Sequence, residues 1–147
     1  MRLRRVYDPS IMMKLARFDA TVEGDCAIWC LSTLLGISYE KIINASAHFD
    51  RNGGLSGLTI PKMMQISESL GFRLRRSESV NLESDTGILV HTISRRAVWH
   101  VAVLKRGQLL DMFGDGLTIW DADVYITSKH AKVSEILILA DQKREIE

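Results

Sequence analysis

The spacing of the apolar residues changes near Phe72, and this change limits the possible folds more than any other feature of the sequence. Before it, apolar residues recur at helical spacing over residues 25–36, 39–48 and 59–70. After it, the apolar runs have the length and composition of strands: FRLRR (72–76), GILVHTI (87–93), VWHVAVLK (98–105), QLLDMF (108–113) and VSEILILA (133–140). Helices followed by strands with short connections predict an α+β domain, in which an N-terminal helical half packs on an antiparallel β-sheet.

Each helical segment also contains residues that commonly begin or end a helix. Asp25 is placed to cap the first helix, and Gly36 is placed to end it. Ser38 has the same capping role for the second helix. Thr59 caps the third helix, where Pro61 falls in the first turn and the missing backbone N–H is tolerated.

Composition restricts the class of protein without naming its activity. The 147 residues include only two prolines and are 46% hydrophobic, so we expect one domain, residues 1–147, with its own core. Nineteen Lys and Arg against eighteen Asp and Glu leave a formal charge of +1, which argues against a dedicated nucleic-acid-binding protein. The apolar runs are shorter than the roughly 18–20 residues that span a bilayer, and charged residues interrupt the basic N-terminal segment. We therefore expect no membrane span, no export signal and a cytoplasmic location.

Two cysteines, Cys26 and Cys30, lie four residues apart in an apolar segment. Their spacing is not the CxxC of zinc sites and redox motifs. A disulfide is also disfavoured, because cysteines on successive turns of one helix lack the required crossing geometry. We predict two free thiols in a reducing compartment, and neither a metal nor a cofactor.

The segment KRGQ at 105–108 predicts a tight turn between two apolar strands. If two residues form the loop, Ala102 lies opposite Asp111, and alternation places His100 and Asp111 on one face of the hairpin. A loop of three residues would reverse this parity. A histidine held by a carboxylate is the base-and-orienter half of a nucleophilic catalytic site. The ordinary alternative for His100 is a half-buried histidine bonded to a backbone carbonyl.

Cys26 is the candidate nucleophile for such a site. It falls in the first turn of the predicted helix, where unpaired backbone N–H groups and the helix dipole stabilise a thiolate. The neighbouring Asp25 opposes this effect unless its charge is used in capping. Cys30 lies one turn deeper among apolar residues and is interpreted as a small buried hydrophobe, an interpretation that also stays open for Cys26.

Three segments together resemble a known family. DCAIWCLSTLLGISYEKI resembles the DCG-x-A-x-L-x-M-x-L-G-x-x-Y-E segment of the double-glycine leader peptidases, which process bacteriocins, and of their small bacterial and phage relatives. GLTIPKMMQISESLGF is similar to the helical run that follows in that family, and VWHVAVLKRGQLLDMF to its H-[FW]-V-V-L strand with an aspartate on the next strand. The resemblance covers about residues 24–113, in order and at compatible spacing, and places the chain near the papain-like cysteine peptidases.

This resemblance implies a papain-like fold and a peptide or protein substrate, with no cofactor. It implies that Cys26 is the nucleophile, that His100 is the general base and then the acid, and that Asp111 orients the imidazole. Where the family has an oxyanion-hole glutamine, six residues before the cysteine, this chain has Ala20. Loss of one oxyanion donor typically lowers the rate by a factor on the order of 10²–10³.

Two other functions stay open beside the cysteine peptidase or amide hydrolase. One is a catalytically impaired papain-like domain that binds a peptide or protein partner in the same cleft, which Ala20 favours. The other is a thiol redox protein that uses Cys26 and Cys30, although the chain lacks the CxxC motif.

The remaining polar residues are expected to be structural. His48, His91 and His130 lack metal-ligand spacing, and surface or structural roles are favoured for them. Residues 113–123, FGDGLTIWDAD, are expected to be turns, because they lack the loop length, ligand order and closing glutamate of an EF-hand.

Overall fold

Helices and strands follow each other along the chain in nearly the predicted order. The computed structural model describes residues 26–46, 59–93, 99–113 and 116–140, which contain four helices and six strands. The helices are α1 (Cys26–Leu35), α2 (Tyr39–Ser46), α3 (Ile60–Ser69) and α4 (Ala122–Lys129). The strands are β1 (Leu74–Ser77), β2 (Thr86–Thr92), β3 (Trp99–Lys105), β4 (Gln108–Phe113), β5 (Gly116–Asp121) and β6 (Lys132–Leu139). In this part of the chain, the helices are too short or too polar to cross a membrane.

Local end signals explain where α1, α2 and α3 begin or end. Gly36 follows α1 with a φ of 69°, a left-handed conformation that glycine adopts without steric cost. The Ser38 hydroxyl accepts a hydrogen bond from the backbone N–H of Lys41 at 3.2 Å. The Thr59 hydroxyl accepts one from the backbone N–H of Lys62 at 3.3 Å. Gly36, Ser38 and Thr59 therefore have the predicted roles, whereas Asp25, the predicted cap of the first helix, lies outside the described residues.

The six strands form one antiparallel sheet in the order β1-β6-β2-β3-β4-β5. Strand β6, the last of the described strands, lies between β1 and β2. Arg76 of β1 and Glu135 of β6 join this pair through two hydrogen bonds of 2.7 Å. The predicted α+β class, with helices that precede an antiparallel sheet, is confirmed.

Each face of the sheet has its own hydrophobic core. Helices α1, α2 and α3 pack on one face, and α4 packs on the other. Neighbouring residues of a strand alternate between the two cores, so that Ile88 lies in the first and Leu89 in the second. The inner strands are therefore apolar on both faces, which is why the sequence shows them as continuous apolar runs.

The prediction of turns over residues 113–123 is wrong. Most of this segment is β5, which pairs with β4 along its whole length. Leu117 and Ile119 are buried in the core beneath α1, α2 and α3, whereas Trp120 is buried in the core beneath α4. Pairing with β4 and the burial of these side chains outweigh the turn preference of the glycines and aspartates.

Helix α4 was not expected because its sequence, ADVYITSK, has no apolar stripe at helical spacing. Of its eight residues, only Ala122 and Tyr125 are buried. The helix ends at His130, which is exposed and adopts a left-handed φ of 50°. This helix brings Tyr125 to the same face of the sheet as His100.

Candidate active site

The hairpin of β3 and β4 has the two-residue turn on which the site prediction depends. Arg106 and Gly107 have φ angles of 47° and 89°, and positive φ at both central residues is the signature of a type I′ turn. Lys105 lies directly opposite Gln108 in the ladder. The predicted loop length and strand register are therefore confirmed.

His100 and Asp111 meet on the α4 face of the sheet. His100 Nε2 lies 2.7 Å from Asp111 Oδ1, and the side chains are 16% and 2% exposed. Between these strands, the described ladder pairs end at Val103 opposite Leu110, before either residue is reached. The contact thus joins β3 to β4 through side chains, where the backbones no longer pair. It is the contact that the parity of the turn predicts.

Cys26 approaches the same histidine from the other side. It is the first residue of α1, which packs against β3 and β4, and it is half-buried. Cys26 is among the groups that raise the pKa of His100, so its thiol lies beside the imidazole. Because Asp111 occupies Nε2 of the imidazole, Nδ1 is the ring nitrogen left for the thiol. Three separate elements thus bring Cys26, His100 and Asp111 together.

The environment of His100 favours its charged form. Burial by itself lowers the pKa of His100, but hydrogen bonds to Asp111 and Cys26, and their negative charges, outweigh burial and raise the pKa to about 10. The imidazole is therefore protonated at neutral pH. An imidazolium beside a cysteine sulfur stabilises the thiolate, which is the nucleophilic form.

Cys30 is unsuited to the same role. It is 1% exposed, and burial, followed by the negative charges of Cys26 and Asp111, raises its pKa well above the ordinary value. It therefore stays a neutral thiol, as its interpretation as a small buried hydrophobe predicts. Both cysteines are free.

Two further side chains extend the site, and sequence reasoning missed both. The Tyr125 hydroxyl lies 3.2 Å from Asp111 Oδ2 and 3.0 Å from His91 Nε2. His91 lies opposite His100 in the β2–β3 ladder, and the two rings are perpendicular with centroids 5.4 Å apart. The sequence grouped His91 with the surface or structural histidines, but it is fully buried beside the candidate site.

The signals for these two residues were weak in the sequence. His91 could be placed opposite His100 only with the register of β2 and β3, and that register does not follow from the strand patterns alone. Tyr125 belongs to α4, which has no helical pattern of its own. Both side chains are recognised only when the sheet and α4 are assembled.

The other predicted candidates do not join this cluster. His130 is exposed at the end of α4. Ala20, Asp25 and His48 lie outside the described residues. Within the described ranges, histidines, cysteines and carboxylates form no group of three or more that could hold a metal ion.

No protein-family model matches the sequence, and no curated protein matches it. The geometry of the site is therefore the basis for its functional interpretation.

Proposed function

We propose that this chain is a papain-like cysteine hydrolase that cleaves peptide or other amide bonds. The observation that carries the proposal is the 2.7 Å contact between His100 and Asp111, with Cys26 at the beginning of α1 close enough to raise the pKa of the same imidazole. A nucleophile beside a base, with the base oriented by a third group, is the arrangement used in covalent acyl transfer. The resemblance to the double-glycine leader peptidases indicates the same three residues.

In the proposed reaction, the Cys26 thiolate attacks the substrate carbonyl carbon, and an electron pair moves onto the carbonyl oxygen. Backbone N–H groups at the beginning of α1 are unused by the helix and are available to donate to this oxyanion. His100 then gives its proton to the leaving amine as the C–N bond breaks, and the acyl group remains on Cys26 as a thioester. Neutral His100 next takes a proton from water as the water oxygen attacks the thioester carbon. The C–S bond then breaks, the acid product leaves, and the Cys26 thiolate and His100 imidazolium are restored.

Asp111 has an orienting role in this reaction. It accepts the Nε2–H of His100 and thereby directs Nδ1 towards Cys26. Its negative charge also stabilises the imidazolium, which exists before the attack and again during hydrolysis of the thioester. No proton needs to pass to the carboxylate, because the protons move between Cys26, His100, the leaving group and water.

The arrangement of elements supports the same proposal. A cysteine at the beginning of a buried helix, followed by helices and then by strands with histidine and acid, is the chain order of papain-like peptidases. The proposal therefore includes a papain-like fold and a peptide or protein substrate. It also includes the reducing cytoplasm as the location, since Cys26 and Cys30 are free thiols.

A second candidate function is peptide or protein binding without catalysis. The observation that favours it is Ala20, which occupies the position of the oxyanion-hole glutamine in the resembling family. A missing oxyanion donor lowers acyl-transfer rates on the order of 10²–10³-fold while leaving a binding cleft intact. The two functions differ in whether Cys26 accepts an acyl group.

Acyl transfer from p-nitrophenyl acetate separates these functions. Mass spectrometry locates the acetyl group, and absorbance follows the release of nitrophenolate. The hydrolase proposal predicts a burst of nitrophenolate, acetylation of Cys26 but not Cys30, and slower release of acetate. His100→Ala should abolish the burst. His130→Asn, which changes an exposed histidine at the end of α4, should leave it unchanged.

The same experiment can overturn the proposal. The contradicting result is that Cys26 is acetylated no faster in the folded protein than in the urea-unfolded chain, and that His100→Ala does not change the rate. That result would exclude a nucleophile–base pair and favour the binding function.

A further inference from the structure

Asp111 has a second buried neighbour besides His100. The Tyr125 hydroxyl lies 3.2 Å from Oδ2, the carboxylate oxygen that His100 does not use, and 3.0 Å from His91 Nε2. Tyr125 and His91 are both 0% exposed. Each oxygen of the carboxylate therefore has one partner, and the second partner is itself held by His91.

The number of available protons determines how these contacts are arranged. His91 Nδ1 lies 3.3 Å from the Leu89 carbonyl oxygen, and its Nε2 faces the Tyr125 hydroxyl. The contacts from Leu89 through His91 and Tyr125 to Asp111 number three, but neutral His91 and Tyr125 supply only two protons. A charged His91 would supply the third. However, burial and the positive charge of His100 lower the pKa of His91 to about 4, so it is neutral at physiological pH.

The charge on Asp111 decides which contact lacks a proton. Hydrogen bonds to a carboxylate are roughly twice as strong as those between neutral groups. The Tyr125 O–H is therefore directed to Asp111, and the phenol oxygen accepts a hydrogen bond from His91 Nε2–H. The contact without a proton is that between His91 Nδ1 and Leu89, which is the longest of the three.

We propose that Tyr125 and His91 are positioning residues for the Cys26–His100–Asp111 site. His91 donates to Tyr125, and Tyr125 donates to Asp111 Oδ2, which restrains rotation of the carboxylate and keeps Oδ1 directed at His100. The effect on catalysis rests on the proposed hydrolase function. The directions of the hydrogen bonds are independent of that function, and they can be measured in the absence of any activity.

Nuclear magnetic resonance of isotope-labelled histidine tests the directions, because it shows which ring nitrogen carries the proton. We expect His91 to be protonated on Nε2 in the wild-type protein at neutral pH. In Tyr125→Phe we expect the proton on Nδ1, because the Leu89 carbonyl is then the acceptor that remains. Protonation of Nδ1 in the wild type, or an unchanged tautomer in Tyr125→Phe, would overturn the proposal.

The rate of Cys26 acetylation by p-nitrophenyl acetate tests the effect on the site. Tyr125→Phe should lower this rate about tenfold or more, because it removes a hydrogen bond to a charged group. Tyr39→Phe makes the same change in the core on the opposite face and should leave the rate at the wild-type value. His91→Gln keeps an N–H donor and should retain most of the rate, whereas His91→Leu should resemble Tyr125→Phe.

The outcomes separate the positioning role from the hydrolase function. If Cys26 is acetylated rapidly in the wild type and at the same rate in Tyr125→Phe and His91→Leu, only the positioning role is overturned. If Cys26 in the folded wild type is acetylated no faster than in the urea-unfolded chain, the hydrolase proposal is overturned. The histidine spectra would still decide the directions of the hydrogen bonds. Circular dichroism establishes that each variant is folded. If His91→Leu does not fold, Tyr125→Phe still tests the positioning role.

Discussion

At the scale of single residues, the contact between His100 and Asp111 controls the chemistry available to the site. Asp111 is 2% exposed, and a buried carboxylate needs a positive partner to offset the loss of hydration. The imidazolium of His100 is that partner at 2.7 Å. Their mutual stabilisation is the main reason why the pKa of His100 is raised to about 10 in spite of burial.

Asp111→Asn removes this charge with little change in size. We expect the pKa of His100 to fall, because burial still lowers it while the hydrogen bond and the negative charge of Asp111, which raise it, are lost. A titration of the His100 ring by nuclear magnetic resonance measures the change. Asp123→Asn, at an exposed position in the first turn of α4, is the matched control. A pKa that stays near 10 in Asp111→Asn would exclude Asp111 as the partner that holds the proton.

The sequence predicted part of the site for a clear reason. His100 and Asp111 flank a turn of two residues, so that strand parity alone places them on one face. Cys26 was recognisable from its position at the beginning of a helix. His91 and Tyr125 could not be placed, because their positions depend on the β2–β3 register and on α4, which only the assembled sheet determines.

At the scale of elements, β2 and β6 approach each other closely, and their register shifts beside the site. A Cβ atom on Gly87 would overlap the Leu137 carbonyl oxygen and lie 2.9 Å from a side-chain carbon of Ile136. Further along the same pair, the register shifts between Val90 and His91. An irregularity of this kind redirects a side chain locally, and here it lies immediately beside His91.

Gly87→Ala tests how tightly the two strands pack. We expect a loss of about 1–3 kcal/mol in the free energy of unfolding, because the added methyl group meets backbone as well as side-chain atoms. Urea unfolding measures this change. Ser84→Ala, at an exposed position in the preceding turn, should stay within about 0.5 kcal/mol of the wild type. An unfolding midpoint for Gly87→Ala equal to that of the wild type would show that the strands can separate at no cost.

The elements themselves differed in how well the sequence predicted them. Helices α1, α2 and α3 carry local stripes and end signals, and these were sufficient to place them. Strand β5 is rich in turn-forming residues, and its structure depends on pairing with β4. Helix α4 buries only two of its eight residues, so that no periodic pattern marked it.

At the scale of the whole molecule, stability depends on pH because the pKa values of two histidines are shifted in opposite directions. The pKa of His100 is raised to about 10, so its contribution is complete below about pH 6.5 and is lost as pH rises through 10. The pKa of His91 is lowered to about 4, so its contribution is present above about pH 6.5 and is lost as pH falls through 4. These two groups together place maximum stability near neutral pH.

Urea unfolding as a function of pH tests this balance. Each histidine changes the free energy of unfolding by up to roughly 1.4 kcal/mol per pH unit. For His91 the free energy of unfolding decreases as the pH falls below about 6.5, and for His100 it decreases as the pH rises above about 6.5. His91→Gln should reduce the slope only on the acid side of about pH 6.5, and Asp111→Asn should reduce it on the alkaline side. An acid slope that His91→Gln leaves unchanged would contradict a buried, neutral His91.

Whether Cys26 is a nucleophile held beside its base is tested most directly by alkylation with iodoacetamide near pH 6. Mass spectrometry reads Cys26 and Cys30 separately in the folded protein, in the urea-unfolded chain and in His100→Ala. A free cysteine, with a pKa near 8.5, is less than about 1% thiolate under these conditions. We predict that folded Cys26 reacts at least about tenfold faster than the unfolded residue, and that His100→Ala removes this advantage. Equal rates for Cys26 in all three samples would contradict a nucleophilic role.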